Sequence, residues 1–524
     1  MHLGQIAAQT PDKPAVVMAG SGEVLTYREL NEESNRLAQL LRAEGLRPGD
    51  HIAFMLENHP LFLAIAWAAQ RSGLYYTAVS TRLRPDELAY IVDNCGAKAF
   101  ITSAAMETGE WPVSSVPMPD VPLRLMLGGT VPGYESYEER VARHPATPIE
   151  DEREGHDMLY SSGTTGRPKG VKLPLPEGPM GSQKILHGLL SLLFQPDADS
   201  VYLSPAPLYH AAPLRYCVTM HRFGATVVVM ERFDPEQALA AIEKYRVTHS
   251  QWVPTMFIRM LKLPKETRTR HDLSSLRAAV HAAAPCPVPV KEQMIEWWGP
   301  VLHEYYAATE ANCFVYTNSE DWLAHRGTVG RPLLGEVHVC DEEGRELPPG
   351  TPGTLYFGNA PIFEYHRDAV KTAESRDPWG RGWTTVGDIG YVDEEGFIYL
   401  TDRRDHVIIS GGVNVYPQEA ENVLAVHPKV ADVAVFGVPD PEMGEAVKAV
   451  VQPMSMDDAG PELEAELIDY CRDRLAGYKC PRTVDFRAEL PRHPTGKLYK
   501  RLLKDEYRSR ASVPQRPDSP PDGP

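Results

Sequence analysis

Tyr160–Val171 reads YSSGTTGRPKGV, with three glycines, four serines and threonines, an arginine and a lysine in twelve positions. Glycine is costly inside helices and strands, so the stretch reads as backbone that bends sharply and comes close to something. Bare glycine backbone lets N–H groups turn inward as a nest for anionic oxygens. Ser161, Ser162, Thr164 and Thr165 add hydroxyl donors and Lys169 adds a positive charge, which suits a phosphate guest. A plain surface loop is the alternative that this segment alone leaves open. The pattern is not a Walker A loop, because Gly170 rather than Ser or Thr follows Lys169.

Outward from this loop, short apolar runs alternate with helical periodicity. Thr26–Gly45 carries Leu30, Leu37, Leu40 and Leu41 on one helical face and ends on glycine. HIAFML at 51–56 reads as a buried strand, followed by an Ala/Leu-rich helix at 61–71, a helix at 85–94 and a strand at 98–102. The rhythm returns with TVVVM at 226–230, a helix at 235–245 and a strand ending in QWVP at 251–254. Strand–helix–strand repetition predicts parallel sheets covered by helices. From Leu334 to Asp402 turn signals come every few residues, which predicts antiparallel hairpins. A compact strand–helix pattern begins at Arg403. The division expected is a large α/β unit with a β-rich part over 1–402, a small α+β unit over 403–511, and a disordered tail over 512–524, whose last twelve residues hold five prolines.

Composition narrows the function. The chain has 524 residues, 53 basic against 71 acidic, and a formal net charge of −18. Such a balance argues against nucleic acid, whose binding rests on excess Lys and Arg. An acidic protein that binds a polyanion does so with a few placed donors and a divalent metal. The seven scattered cysteines contain no CxxC pair and read as reduced thiols of a cytoplasmic protein. No signal peptide and no transmembrane run are indicated. His303 and Glu304 open a zinc-type HExxH pattern that Ala307 breaks.

Five motifs in order make the chain resemble the adenylate-forming superfamily of acyl-CoA synthetases, luciferases and peptide-synthetase adenylation domains. They are SSGTTGRPKG (161–170), EYYAATE (304–310), GWTTVGDIGYVDEEGFIYLTDR (382–403), RRDHVIISGGVNVYPQE (403–419) and LPRHPTGKLYKR (490–501). The resemblance implies that Ser161, Ser162, Gly163, Thr164, Thr165, Gly166 and Lys169 hold the ATP phosphates. It makes Tyr306 the adenine-stacking ring, Thr309 a phosphate contact and Glu310 the Mg²⁺ ligand. Asp388 would grip the ribose and Arg403 the ribose or α-phosphate. Asp405 would be a hinge, and Gly411 and Gly412 would admit the pantetheine thiol of coenzyme A. Lys497 would bridge the attacking carboxylate and the α-phosphate; with Glu310, Thr164 and His210 it makes up the implied catalytic set.

The acyl side is less marked. His210, in PAPLYHAAPL, takes the place of the group that gates the carboxylate, although a lone histidine in an apolar run also fits a structural role. Ala282 and Ala283, in HAAAPCP, stand beside adenine and the acyl pocket where glycines are usual. Trp252 has two readings, pocket wall or plain core. Ala307, Val413 and His406 also depart from the family pattern. The activity expected is ATP-dependent ligation of a hydrophobic carboxylic acid to CoA. An amide ligase with an amine acceptor and a silent nucleotide-binding scaffold are the rivals. Oligomeric state is not legible.

Overall fold

The computed structural model describes residues 1–161, 167–182, 185–492 and 498–511, with side chains to 507 in the last stretch. Ser162, Gly163, Thr164, Thr165, Gly166 and Lys497 lie outside the described residues, as does 512–524.

Two sheets form the centre of a large mixed α/β domain. One has six strands, all parallel, in the order Glu135–Ser136, Leu123–Leu127, Ala97–Ser103, His51–Met55, Tyr75–Ala78, His156–Asp157. His51–Met55 is central and buried along its whole length, as a continuous apolar run predicts for a strand covered on both faces. The other sheet has nine strands. Its middle runs parallel from Leu302–Tyr306 through Ala278–His281, His249–Trp252, Val201–Ser204 and Thr226–Val229 to Pro14–Met18. Its margins are antiparallel, Phe314–Asn318 and Arg331–Leu334 at one side and Val24–Thr26 at the other. The parallel-sheet expectation therefore holds for the core and not for these edges, where short connections allow hairpin return.

The helix predicted over Thr26–Gly45 spans Tyr27–Ala43. Thr26 and Glu29 close a capping box at its start, and Leu30, Leu37, Leu40 and Leu41 are fully buried. Its apolar face lies in the same core as the wholly buried helix Phe62–Arg71, on which Trp67 is sealed from solvent.

The glycine-rich stretch is not loop throughout. Leu159–Ser161 pairs antiparallel with Lys169–Lys172, which in turn pairs with Glu364–Tyr365. Gly170 tolerates strand geometry here for a specific reason: a Cβ on it would come within 3.0 Å of the Tyr160 ring. The hairpin region is a four-stranded antiparallel sheet of Glu336–Cys340, Gly353–Gly358, Asp388–Val392 and Ile398–Arg403. A smaller α+β domain follows. Its five-stranded sheet is built on the long pair Val430–Asp440 and Gly444–Pro453, and packs helices Pro417–Ala425 and Pro461–Arg472 over its own core.

Candidate active site

A cleft of about 3070 Å³ opens between the two large sheets, the antiparallel sheet and the small domain. Strand ends deliver its polar residues. Tyr306 terminates Leu302–Tyr306, Asp388 opens Asp388–Val392, Arg403 closes Ile398–Arg403 and His210 caps helix Ala211–Arg222. Parallel sheets place functional groups at the carboxyl ends of their strands, because the crossover loops converge there.

Two polar clusters line this cleft within electrostatic reach of one another. In the first, the Tyr306 hydroxyl donates to Asp388 Oδ2 at 2.6 Å, and Arg403 Nε meets Asp388 Oδ1 at 3.1 Å. Asp388 lies opposite Arg403 in the register of the antiparallel sheet, which explains the pairing. The Asp388 carboxylate raises the Arg403 pKa against the opposing effect of burial, and burial together with Asp388 pushes the Tyr306 phenol far up. In the second, Tyr365 donates to Glu310 Oε1 at 2.8 Å, and the Lys169 ammonium sits 5.1 Å from the Tyr365 ring centroid. Burial and nearby Lys371 lower the Lys169 pKa, while Asp368 and Glu310 oppose them.

Glu310 is nearly buried but lines the cleft, and its second oxygen has no protein donor among the described residues. One such carboxylate fits Mg²⁺, which takes one or two carboxylates and completes its shell with phosphate and water oxygens. Thr309 lies beside it; its carbonyl accepts from Arg215 Nη2 at 3.5 Å.

The other expected residues fall as follows. Ser161, Lys169, His210, Ala282, Ala283, Thr309 and Asp405 all line the cleft. His210 is held edge-on to Tyr209, ring centroids 4.5 Å apart. Pro213, which breaks the family pattern, falls in the first turn of helix Ala211–Arg222, where no N–H is needed. Ala283 carries φ +76° and Ala311, directly after Glu310, φ +54°, conformations that favour glycine. Trp252 borders the cleft, yet its indole is 1% exposed, donates to Ser250 Oγ at 2.7 Å and packs on Phe257 and Trp298. Its ring is core, the plainer of the two readings. Gly411 and Gly412 form the turn between Ile408–Ser410 and Val413–Val415, at φ +57° and +77°, and stand exposed away from the cleft. His406, unusual at its position, approaches Asp402 at 3.4 Å.

Sequence reasoning missed three participants. Tyr365 orients Glu310 from 55 residues away. Arg215 donates through Nε and Nη2 to Asp157 Oδ2 at 3.0 and 2.7 Å, which holds the segment leading into the glycine-rich stretch. Burial works against the Arg215 charge, and Asp157 more than offsets it, so its pKa rises. The only signal for this pair was Arg215 standing in an otherwise apolar run; Asp157 follows the charged stretch 150–154 and does not stand out there.

Comparison with known proteins agrees with this arrangement. The model of the AMP-binding enzyme family matches residues 3–364, and that of the AMP-binding enzyme C-terminal domain matches 419–497. The feruloyl-CoA synthase of Amycolatopsis sp. is 34% identical over 515 residues, covering 95% of this chain and 96% of that protein. Among solved structures, o-succinylbenzoate CoA synthetase (MenE) of Bacillus subtilis, in complex with the acyl-adenylate intermediate OSB-AMP, superposes with a TM-score of 0.79. It is 28% identical, covering 96% of this chain and 97% of that one. The amide bond synthetase McbA of Marinactinospora thermotolerans gives the same TM-score and identity, covering 96% and 99%. The fold and the cleft define an adenylate-forming ligase with a large mixed α/β domain and a small α+β domain. The chain belongs to the AMP-binding, adenylate-forming superfamily and stands near its acyl-CoA ligases.

Proposed function

We propose that this enzyme is an ATP-dependent acyl-CoA ligase for a carboxylic acid with a largely apolar skeleton. The observation that carries the reading is the meeting of Tyr306–Asp388–Arg403 and Glu310–Tyr365–Lys169 on one cleft that His210 also enters. In the first half-reaction a carboxylate oxygen bonds to the α-phosphorus of ATP, and the bond to pyrophosphate breaks. Lys169 and the glycine-rich stretch hold the β- and γ-phosphates. Asp388 accepts from the ribose hydroxyls, held for that task by Tyr306 and Arg403. Glu310 would hold Mg²⁺, which supplies charge neutralisation between the phosphates and the incoming carboxylate. Lys497 bridges the two anions as they approach. In the second half-reaction the thiol sulfur of CoA bonds to the acyl carbon, AMP leaves, and the thiol proton passes to solvent.

One cleft cannot present Lys497 and a thiol channel at once, so the small domain turns about Asp405 between steps. The boundary proposed for that movement falls between Asp402 and Arg403. The exposed Gly411–Gly412 turn supports it: the backbone assigned to the thiol channel is outside the cleft in this orientation. A second reading, transfer to an amine, is favoured by the equal likeness to an amide bond synthetase. The test is acid-dependent pyrophosphate release from a broad acid panel, followed by product mass with CoA and with amines offered separately. A thioester is expected. An amide without thioester would transfer the assignment to the amine reading, and no acid-dependent release would remove adenylation.

A further inference from the structure

The glycine-rich stretch stands on a three-stranded sheet, in which Lys169–Lys172 runs between Leu159–Ser161 and Glu364–Tyr365. Val171 lies opposite Tyr365 in the register of the outer pair. Tyr365 is buried and held from several sides. Its ring joins a small apolar cluster with Val171 and Phe363, and the Phe363 ring meets it edge-on with centroids 5.5 Å apart. Its backbone N–H donates to Thr372 Oγ1 at 2.9 Å. A side chain so fixed serves two neighbours at once. The hydroxyl donates to Glu310 Oε1 at 2.8 Å, and the Lys169 ammonium lies over the ring, 5.1 Å from its centroid. That distance is within the range of cation–π attraction.

Glu310 is 6% exposed, and a carboxylate so placed is costly until its charge is balanced. Tyr365 is a neutral donor: it holds one oxygen and leaves the charge standing. Among the described residues no Lys, Arg or His side chain makes a direct ion pair with Glu310. A divalent cation would balance it. We propose that Tyr365 is a positioning residue with two duties. Its hydroxyl fixes the Glu310 carboxylate so that Oε2 is left for Mg²⁺, and its ring holds the Lys169 ammonium ready for the β- and γ-phosphates. One side chain thereby joins the metal half and the phosphate half of the nucleotide site. Hydrogen-bonding neighbours of a metal-binding carboxylate set its orientation, and their loss weakens metal binding about 10- to 100-fold. The inference rests on the reading of this cleft as the ATP site, and it concerns a residue outside the five motifs that carry that reading.

The test measures binding of the non-reacting analogue α,β-methylene-ATP to the full-length enzyme by calorimetry, once with saturating Mg²⁺ and once with EDTA. The ratio of the two affinities isolates the metal's share, and no acid substrate is needed. Mg²⁺ is expected to tighten binding to the native enzyme, and Glu310→Gln to remove most of that gain. Tyr365→Phe keeps the ring and its packing on Val171 and Phe363, and removes only the hydroxyl. It should lower the ratio about tenfold with the EDTA affinity unchanged. Tyr365→Leu removes ring and hydroxyl together, and should also weaken the EDTA affinity about two- to fivefold. A native ratio in Tyr365→Phe would overturn the proposal and leave the nucleotide reading intact. Equal weakening with Mg²⁺ and with EDTA in that variant would overturn it too, and would reduce Tyr365 to a core residue. An unchanged EDTA affinity in Tyr365→Leu would strike out the duty toward Lys169. Failure of the native enzyme to bind the analogue under either condition would overturn the adenylation reading along with the proposal.

Discussion

In the proposed mechanism, Lys497 is the residue on which the first half-reaction depends. An ammonium that bridges two anions is needed when they approach and not when a thiol displaces AMP. Lys497→Ala is therefore expected to abolish acyl-adenylate formation while sparing thioester formation from supplied acyl-AMP; equal loss in both assays would contradict the role. Ala283 poses a different question, since a Cβ is disfavoured at φ +76°. Ala283→Gly removes that conflict but frees the unfolded chain, so a gain of up to about 1 kcal/mol is expected. It would appear as a higher urea midpoint at unchanged slope. The backbone at this wall of the cleft is strained, and strain of this kind gathers where a ligand must be approached closely.

At the scale of elements, the cleft wall near Ala283 is tied together by buried charge. Lys291, on helix Val288–Trp298, donates to Glu304 Oε2 at 2.6 Å, and His281 Nε2 lies 3.5 Å from the same oxygen. Lys291 and His281 are fully buried and Glu304 nearly so, so one helix and two neighbouring strands share a single ionic knot. Burial holds the Glu304 carboxyl above its ordinary pKa, with Lys291 pulling it back, and drives the His281 imidazole well below its own. Removing the ammonium in Lys291→Met leaves a lone buried carboxyl, at a cost of about 3–5 kcal/mol near neutral pH. The sign with pH follows from linkage. A carboxyl whose folded pKa lies above its unfolded value binds the extra proton in the folded state, so its stabilisation is present at low pH and lost as pH rises through the folded pKa. Loss of Lys291 widens that gap. The deficit of Lys291→Met should thus be smaller at pH 5 than at pH 8, measured by urea unfolding; a pH-independent deficit would mean lost packing alone.

The whole molecule raises the question of how two domains hold one orientation and give it up. In the orientation described, Lys262 of the large domain donates to the backbone carbonyls of Ala425 (3.4 Å) and Val430 in the small domain. Its ammonium pKa is depressed by burial. The rotation proposed about Asp405 would break these bonds, so on that proposal they bias the equilibrium toward this orientation. Lys262→Met is expected to shift the balance of half-reaction rates by about tenfold or more, since a charge-assisted bond is worth about 1.5–3 kcal/mol. Single-turnover measurement of adenylation and thioester formation would detect this shift. Asp405→Pro restricts the hinge backbone instead, and should slow mainly thioester formation. A variant with both rates unchanged would remove the hinge assignment.

The strand–helix rhythm of the parallel core was legible in the amino-acid sequence alone, and so were the short motifs that carry Tyr306, Glu310, Asp388 and Arg403 to one cleft. Local propensity and hydrophobic period act over a few residues, so elements such as Tyr27–Ala43 and Pro235–Tyr245 emerge from them nearly intact. Tertiary structure decided which distant side chains meet. It sent Trp252 into the core, set Tyr365 against Glu310, turned Gly411 and Gly412 away from the cleft, and paired Arg215 with Asp157 and Arg222 with Glu154 across 58 and 68 residues. An ion pair or a buried ring depends on chain paths that cross in space, and no window of sequence contains both partners. The antiparallel margins of the nine-stranded sheet follow the same logic, because a strand's direction beside its neighbour is set by the connection that returns it.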